Sequence, residues 1–318
     1  MTLGLVIGKF LPVHKGHLAL IAFAAKQCDE LIVSISDAEN DPIDANLRMS
    51  WLKQLTTAKV FLLKDDFDRP GLELKERTKA WADVITKTYG KIDKVFSSEN
   101  YGAPFAENLK AEAVLFDQSR EKFPVSGSMI RKSPFKYWDF IPKEVQPYFI
   151  KRVCFYGPES TGKSTVAIRM AKHYNTISVP EVAREMLITN DFTIDDIIRI
   201  GKAQTERVLE YTKLANKLLF CDTDVIVTQI YSRHYLGVVP DILFELEKQV
   251  AYEKYFFFDI DVPWVEDGLR DLGHQRERMR EIFLNELLRR NITPTIVRGS
   301  FEEREEIITH TVDNFFVT

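Results

Sequence analysis

Two segments typical of phosphate-binding loops constrain the fold of this chain more than any other feature. Residues 8–17 (GKFLPVHKGH) follow the apolar run Leu3–Ile7, and residues 157–164 (GPESTGKS) follow the apolar run Val153–Tyr156. Each segment leads into a stretch with helical periodicity. A strand, a glycine-containing loop and a helix N-terminus together form an anion site, because the first N–H groups of the helix are free. The sequence therefore predicts two nucleotide-phosphate sites, one in each half of the chain.

Short apolar runs alternate with helical stretches along the whole chain, which predicts parallel sheets covered by helices on both faces. We expect an α/β protein with two parallel-sheet domains, one Rossmann-like and one of the P-loop type. Two prolines within residues 141–151 interrupt the pattern, so we place the domains at 1–146 and 147–318. The predicted strands are Leu3–Ile7, Leu31–Ile35, Val60–Leu63, Lys94–Phe96 and Val114–Phe116, then Val153–Tyr156, Thr176–Val179, Leu218–Cys221, Val225–Val227, Tyr255–Phe258 and Thr295–Val297.

The composition narrows the class of protein. The 318 residues are 45% hydrophobic and 28% charged, which suffices for two cores. A net charge of −4 argues against a nucleic-acid binder. The three cysteines are isolated, no apolar stretch could span a bilayer, and the N-terminus runs straight into the first motif. We therefore expect no disulfides, no zinc site, no signal peptide and no membrane partner. We expect a cytoplasmic protein. Its oligomeric state stays open, and a homo-oligomer is possible.

The first motif places two histidines at the start of a helix. His14 and His17 can donate hydrogen bonds to the α- and β-phosphates of a nucleoside triphosphate, and such donors favour transfer as charge develops at phosphorus. A surface pair or a zinc site is the alternative, but two histidines without a third ligand suit zinc poorly.

A second segment completes this predicted site. The Ser-Gly-Ser turn at 126–128 begins a short helix, and Arg131 follows about one turn later, a combination that suits phosphate but that is also common as a simple helix cap. We predict His14, His17 and Arg131 as catalytic residues. The predicted ATP-binding residues of this half are Gly8, Lys9, Phe10, Gly16, Ser126 and Ser128.

The HKGH and SGSMIR elements resemble those of the nucleotidyltransferases that adenylylate small phosphorylated metabolites. Residues 46–49, 97–99, 117–120 and 134–142 narrow the resemblance to the nicotinamide-nucleotide adenylyltransferase domain of the NadR family. The resemblance implies that Arg48 and Trp138 bind the acceptor substrate.

The second motif matches Gly-x-x-x-x-Gly-Lys-Ser between a predicted strand and a predicted helix, the context that a P-loop requires. Loop amides hold the phosphates, Lys163 reaches the β- and γ-phosphates, and Ser164 contacts Mg²⁺. Both Mg²⁺ and ATP as co-substrate are therefore expected. The predicted ATP-binding residues of this loop are Gly157, Glu159, Ser160, Thr161, Gly162, Lys163, Ser164 and Thr165.

Acidic residues follow two further strands of this half. Asp222 comes at the end of Leu218–Cys221 and either holds Mg²⁺ or caps the next element. Glu181 follows another strand and could accept the proton of an attacking hydroxyl, with Arg184 steadying the acceptor. A solvated helix face is the alternative for Glu181 and Arg184.

An arginine-rich stretch near residues 262–280 reads as a kinase lid, in which Arg270 and Arg276 would neutralise the transferring phosphoryl group. Trp264 in the same stretch is either a core residue or a stacking surface for the flat ring of the acceptor.

The sequences GPESTGKS, PEVARE, CDTD and PWVEDGLR resemble the ribosylnicotinamide kinase domain of the same NadR family. The resemblance implies that Asp267 binds substrate and that Arg298 and Phe301 lie at the adenine side. It further implies that the second domain phosphorylates nicotinamide riboside and that the first joins the resulting mononucleotide (NMN) to AMP, giving NAD. Two alternatives stay open: the same reactions on other acceptors, or a nucleotide sensor with little turnover. Some members carry an N-terminal helix-turn-helix domain, which we do not expect here because the first strand begins at Leu3.

Overall fold

The computed structural model describes residues 1–64, 73–189, 191–265 and 271–317. The chain divides into two compact units, Met1–Gln146 and Pro147–Thr318. Each unit holds a five-stranded parallel sheet with helices, which confirms the predicted α/β class. None of the described helices is both long and apolar enough to cross a membrane.

The first unit is built around the strand that precedes the histidine motif. Its strand order is β3-β2-β1-β4-β5, so the direction of winding reverses between β1 and β4. Ligands bind at such a switch point because the loops there diverge and leave a crevice. The strands are β1 (Leu3–Gly8), β2 (Glu30–Asp37), β3 (Lys59–Lys64), β4 (Lys94–Ser97) and β5 (Glu112–Leu115), and the helices are α1 (Lys15–Ala25), α2 (Ala45–Leu55), α3 (Leu74–Tyr89), α4 (Gly102–Leu109) and α5 (Gly127–Lys132), followed by a 3₁₀ turn at Trp138–Phe140.

The second unit repeats this plan around the P-loop strand. Its order is β10-β9-β6-β8-β7, with β6 between β9 and β8. The strands are β6 (Lys151–Tyr156), β7 (Ile177–Val179), β8 (Leu218–Asp222), β9 (Lys254–Phe258) and β10 (Thr295–Val297), and the helices are α6 (Lys163–His173), α7 (Ala183–Met186), α8 (Ile194–Thr212), α9 (Val225–Leu236), α10 (Asp241–Gln249), α11 (Arg276–Arg289) and α12 (Phe301–Val312), with 3₁₀ turns at Gln146–Phe149 and Gly273–Gln275 and a π-helical turn at Asp313–Val317.

The central strands are apolar because helices cover both faces of each sheet. Leu5 and Val6 of β1 are fully buried, as are Val153 and Phe155 of β6. Strands buried on both faces have continuous apolar sequences rather than alternating ones. The cores therefore fix the sheets, and the polar loops at their carboxyl ends carry the candidate sites.

One predicted strand is wrong. Val225–Val227 forms the first turn of α9 and not a strand. The Asp224 side chain accepts hydrogen bonds from the backbone N–H groups of Ile226 (3.0 Å) and Val227 (3.2 Å), which starts a helix. A short β-branched run cannot be told from a buried helix by periodicity alone.

Candidate active sites

A cavity of about 350 Å³ opens at the carboxyl ends of β1 and β4 in the first unit. The chain turns sharply after β1 at Phe10, whose φ is 51°, and the Phe10 ring meets the His17 ring edge-on at 4.9 Å. The predicted residues that line this cavity are Gly8, Lys9, Phe10, His14, Gly16, His17, Ser126, Ser128 and Arg131.

The two histidines form a stacked pair inside this cavity. Their ring centroids are 3.7 Å apart at an interplanar angle of 24°. The backbone N–H of His14 donates to Nδ1 of His17 at 3.3 Å, so the ring proton of neutral His17 lies on Nε2. Nδ1 of His14 is buried and has no hydrogen-bond partner among the described residues. The pair therefore keeps ring nitrogens free for a ligand.

Burial sets the charge of both imidazoles. It lowers the pKa of His14 to about 4, with a smaller contribution from the nearby Arg120 guanidinium. Burial also lowers the pKa of His17 well below its ordinary value, helped by His14 and Arg120. Both rings are neutral near pH 7 without ligand, so each donates through a single N–H.

Arg131 joins the two loops that enclose the cavity. Its guanidinium donates to the carbonyl oxygen of Leu11 and, at 3.3 Å, to Oγ of Ser128. Ser126 begins α5 by accepting a hydrogen bond from the Met129 N–H at 3.2 Å. A Cβ atom on Gly127 would lie 2.2 Å from the Leu11 carbonyl oxygen, so only glycine permits this approach.

Arg120 is a cavity residue that the sequence analysis did not assign. It follows β5, and its guanidinium donates to Oε1 of Glu99 at 2.7 Å, while both residues line the cavity. Asp117 holds the intervening turn by accepting hydrogen bonds from the backbone N–H groups of Lys122 and Phe123, each at 3.0 Å. The sequence pattern could have indicated Arg120 and Glu99, because residues 97–99 and 117–120 both follow predicted strands.

Arg48 and Trp138 do not line the cavity, contrary to the substrate-binding role predicted for them. Arg48 is fully buried and donates to the carbonyl oxygens of Lys9 (2.7 Å) and Ser36 (3.1 Å). The Arg48 side chain therefore stabilises the backbone of the loop that leads to His14. Trp138 is 6% exposed and packs edge-on against Phe135. Its indole ring is therefore part of the core.

The second unit contains a cavity of about 160 Å³ at the carboxyl ends of β6 and β8. Gly157 (φ 139°) and Gly162 (φ 85°) shape the loop beside it, and a Cβ on Gly157 would lie 2.6 Å from the Phe258 carbonyl oxygen. The predicted residues that line this cavity are Gly157, Glu159, Ser160, Thr161, Gly162, Lys163, Ser164, Thr165, Glu181 and Arg184.

Lys163 lies folded back into its own loop. Its Nζ donates to the carbonyl oxygens of Gly157 (2.8 Å) and Pro158 (2.7 Å). Burial lowers the pKa of this ammonium group, although Asp222 and Glu181 oppose the shift. The side chain is thus held at the place where a phosphate would replace the carbonyl oxygens as its partners.

Asp222 ends β8 beside the hydroxyl of Ser164, which donates a hydrogen bond to it. Burial, reinforced by Glu181, raises the pKa of Asp222 to about 6. Its Oδ1 is buried without a hydrogen-bond partner among the described residues. Hard oxygen donors with spare lone pairs suit Mg²⁺, which takes few protein ligands when phosphates supply the rest. Capping, the alternative role, belongs to Asp224.

The acceptor side of this cavity carries an ion pair and an aromatic wall. Nε of Arg184 donates to Oε2 of Glu181 at 3.0 Å, and both side chains face the cavity rather than forming a solvated face. The Phe192 and Tyr235 rings meet edge-on at 5.3 Å, and Tyr231 stacks on Tyr235 at 6.3 Å. These three rings line the cavity and were not predicted.

Trp264 and Arg276 lie outside this cavity. The Trp264 ring is half-buried and packs against Gly273, where an added Cβ atom would lie only 2.9 Å from it. The Arg276 guanidinium lies 5.7 Å from the centre of the Trp264 ring. Arg276 donates to the Val262 carbonyl oxygen at 2.7 Å. The core role therefore fits Trp264 better than the stacking role. Arg270 and Asp267 fall outside the described residues.

Arg298, on the loop before α12, and Phe301, the first residue of α12, also lie outside the cavity. Arg298 pairs with Asp259 at 2.6 Å. The Phe301 ring would lie 3.2 Å from a Cβ on Gly162, and the Arg169 guanidinium lies over that ring. Phe301 thus packs on the outer side of the P-loop.

Arg304 of α12 is a further residue that was not predicted. It is 1% exposed and donates to the carbonyl oxygens of Thr161 (2.7 Å) and Gly299 (2.8 Å) while pairing with Asp261. A buried guanidinium with these partners ties the P-loop to the end of the sheet.

Each unit matches a known family model. Residues 5–133 match the cytidylyltransferase-like family model, and residues 152–304 match the AAA domain model. The nicotinamide-nucleotide adenylyltransferase of Methanocorpusculum labreanum is 30% identical over 156 residues, which cover 46% of this chain and 88% of that protein.

Relatives and solved structures also match across both units. The trifunctional NAD biosynthesis/regulator protein NadR of Escherichia coli strain K12 is 32% identical over 315 residues, covering 91% of this chain and 77% of that protein. NadR proteins solved with NR, and with NAD and AMP-PNP, share the fold at TM-scores of 0.80 and 0.79 and identities of 20% and 21%, over 100% of this chain and 96% of theirs. Because the identity to the Escherichia coli protein extends over both units and over 77% of that protein, the chain belongs to the NadR family.

Proposed function

We propose that this protein is a bifunctional NAD salvage enzyme. Its second unit phosphorylates nicotinamide riboside with MgATP to NMN, and its first unit transfers AMP from ATP to NMN, giving NAD and pyrophosphate. The observation that carries the proposal is the presence of two separate phosphate cavities, each lined by residues of one unit. The names of the relatives, NadR and nicotinamide-nucleotide adenylyltransferase, supply the acceptors.

In the second unit, Glu181 is the candidate general base. Its carboxylate accepts the proton of the riboside 5′-hydroxyl as that oxygen bonds to the γ-phosphorus and the bond to ADP breaks. Arg184, 3.0 Å from Glu181, orients the carboxylate, and Lys163 stabilises charge on the phosphates. Mg²⁺, held by Ser164 and Asp222, would neutralise charge on the β- and γ-phosphates when bound.

In the first unit, the acceptor phosphate needs no general base because it is already an anion. An oxygen of NMN bonds to the α-phosphorus of ATP as the bond to pyrophosphate breaks. His14 and His17 donate to the phosphates, and Arg131 adds positive charge at the other wall of the cavity. Hydrogen bonds that strengthen as charge develops accelerate this step without a covalent intermediate.

Product identification tests the proposal. The protein is incubated with MgATP and, separately, nicotinamide riboside, uridine, cytidine and NMN, and the products are identified by mass. We expect NMN and NAD from nicotinamide riboside and NAD from NMN. Phosphorylation of uridine at an equal rate would reassign the acceptor, and tight ATP binding without any product would favour a sensor.

The proposed partners are the small molecules of these two reactions. We retain the cytoplasm as the proposed location because Cys28, Cys154 and Cys221 are free thiols, as expected in a reducing compartment.

A further inference from the structure

Gln204 is a buried polar residue at the wall of the kinase cavity. It lies on α8, is 3% exposed, and shares that wall with Ile200, one turn earlier, and Ile197, two turns earlier. A side-chain amide carries two donors and one acceptor oxygen, and burying it among isoleucines is unfavourable unless these groups find partners.

One end of the amide is fixed by the backbone. Oε1 of Gln204 accepts a hydrogen bond from the N–H of Val182 at 2.8 Å. That contact sets the orientation of the amide, because the opposite orientation would place two donors against each other. Nε2 is then the free end, and it is buried without a hydrogen-bond partner among the described residues. Because Gln204 lines the cavity, a ligand that fills it could supply the acceptor that Nε2 lacks.

The position of Gln204 limits which part of a bound ligand can accept a hydrogen bond from Nε2. The phosphate loop, 157–164, supplies its own donors to the phosphates, whereas Gln204 is anchored next to Glu181, on the acceptor side. Phe192 and Tyr235 line the same cavity and offer aromatic surface to a flat ring. A polar donor beside an aromatic wall is the arrangement that recognises a carbonyl group on a heterocycle.

We propose that Gln204 is a specificity residue of the kinase unit: its Nε2 donates to the carbonyl oxygen of the substituent on the acceptor's ring. This inference rests on the proposed riboside kinase activity. Because Oε1 is held by the Val182 N–H, the amide cannot turn over, and the site favours rings that carry an oxygen acceptor for Nε2. A riboside of unsubstituted pyridine leaves the donor unpaired, and a buried unpaired donor weakens binding.

Gln204→Glu is the most informative change, because one carboxylate oxygen can still accept from Val182 while the other replaces the donor with an acceptor. Nicotinamide riboside can turn its amide and donate to the new oxygen, whereas the carboxylate of nicotinic acid riboside cannot. We expect kcat/KM for nicotinamide riboside to fall roughly tenfold and that for nicotinic acid riboside to fall on the order of a hundredfold or more. The KM for ATP should stay within about twofold.

Gln204→Leu provides a second, independent readout. It removes the donor, so wild type should prefer nicotinamide riboside over pyridine riboside by roughly tenfold or more, and the leucine variant should lose most of that preference. Glu206→Gln, an opposite exchange on the exposed face of the same helix, is the matched control and should leave both ratios unchanged.

The outcomes separate this inference from the proposed function. An active wild type combined with equal losses for all ribosides in both variants would overturn the role of Gln204 and leave the kinase intact. Unchanged ratios in both variants would do the same. A wild type that phosphorylates no riboside overturns the proposed function and this inference together.

Discussion

Burial controls the charge of ionisable residues at both candidate sites. It lowers the pKa of His14 and Lys163 and raises the pKa of Asp222. Each shift moves its group toward the neutral form, which is the general effect of leaving water. A bound triphosphate would reverse the shifts at His14 and Lys163 by supplying negative charge, so ligand binding and side-chain ionisation are linked.

Removing Lys163 tests the assignment of the second cavity. Lys163→Ala should lower riboside phosphorylation on the order of a hundredfold or more, because a charged donor to phosphate is lost in a closed site. NAD formation from NMN should persist. His17→Ala is the mirror-image control, expected to lower NAD formation by roughly two to three orders of magnitude and to spare the kinase. Loss of both activities in either variant would mean that the residue is structural.

The buried imidazole of His14 predicts a pH-dependent stability. Its pKa is about 4 in the folded chain against an ordinary 6.5, so the unfolded chain binds more protons between these values, and the free energy of unfolding falls as the pH falls. Wild type should lose about 2 kcal/mol more than His14→Asn between pH 7 and pH 5. Denaturant unfolding at the two pH values measures this difference, and parallel losses would contradict the buried, neutral histidine.

At the level of elements, each phosphate loop is held by a buried arginine from a distant helix. Arg48 of α2 donates to the carbonyl oxygen of Lys9 in the first loop, and Arg304 of α12 donates to that of Thr161 in the second. Loops rich in glycine have few side chains of their own to fix them. A guanidinium supplies several donors in a rigid plane and so holds backbone carbonyls in place.

Arg304→Met tests this bracing role. The change should lower the free energy of unfolding by roughly 2–4 kcal/mol, since it breaks a buried ion pair and leaves carbonyl oxygens unpaired. It should also raise the KM for ATP in the kinase reaction while leaving NAD formation from NMN unaffected. Arg289→Met is the control, because that side chain is 70% exposed beside Glu286. Similar small effects in both variants would refute the bracing role.

At the level of the whole molecule, the described residues that line each cavity all belong to one unit. The proposed product of the kinase is the acceptor of the adenylyltransferase. A chain that is inactive in one unit can therefore be supplied by another chain through free NMN.

A mixing experiment checks this independence. Neither Lys163→Ala nor His17→Ala alone should convert nicotinamide riboside and MgATP to NAD, because each lacks one step. The two variants together should restore NAD formation after a lag while NMN accumulates, as followed by mass. A mixture that makes NMN but never NAD would show that the two steps must occur on one chain.

Features that depend on neighbouring residues could be predicted from the amino-acid sequence alone. The order Val153–Tyr156, GPESTGKS and helix, and the corresponding order around His14 and His17, are local patterns whose hydrogen bonds and backbone angles arise within a dozen residues. The α/β class followed from the same alternation. Even the wrong strand at Val225–Val227 was a local ambiguity, resolved by the capping contacts of Asp224.

Which residues from distant parts of the chain come together at each site depends on how the elements pack. Arg120, Gln204 and Arg304 meet their partners only through the fold, while the Arg48 side chain, for which a substrate contact was predicted, is buried against backbone carbonyl oxygens. The physical reason is that burial and hydrogen-bond partnership are properties of packed elements. The sequence shows which hydrogen bonds a side chain can donate or accept. The packing of helices against the sheets determines which groups become its partners.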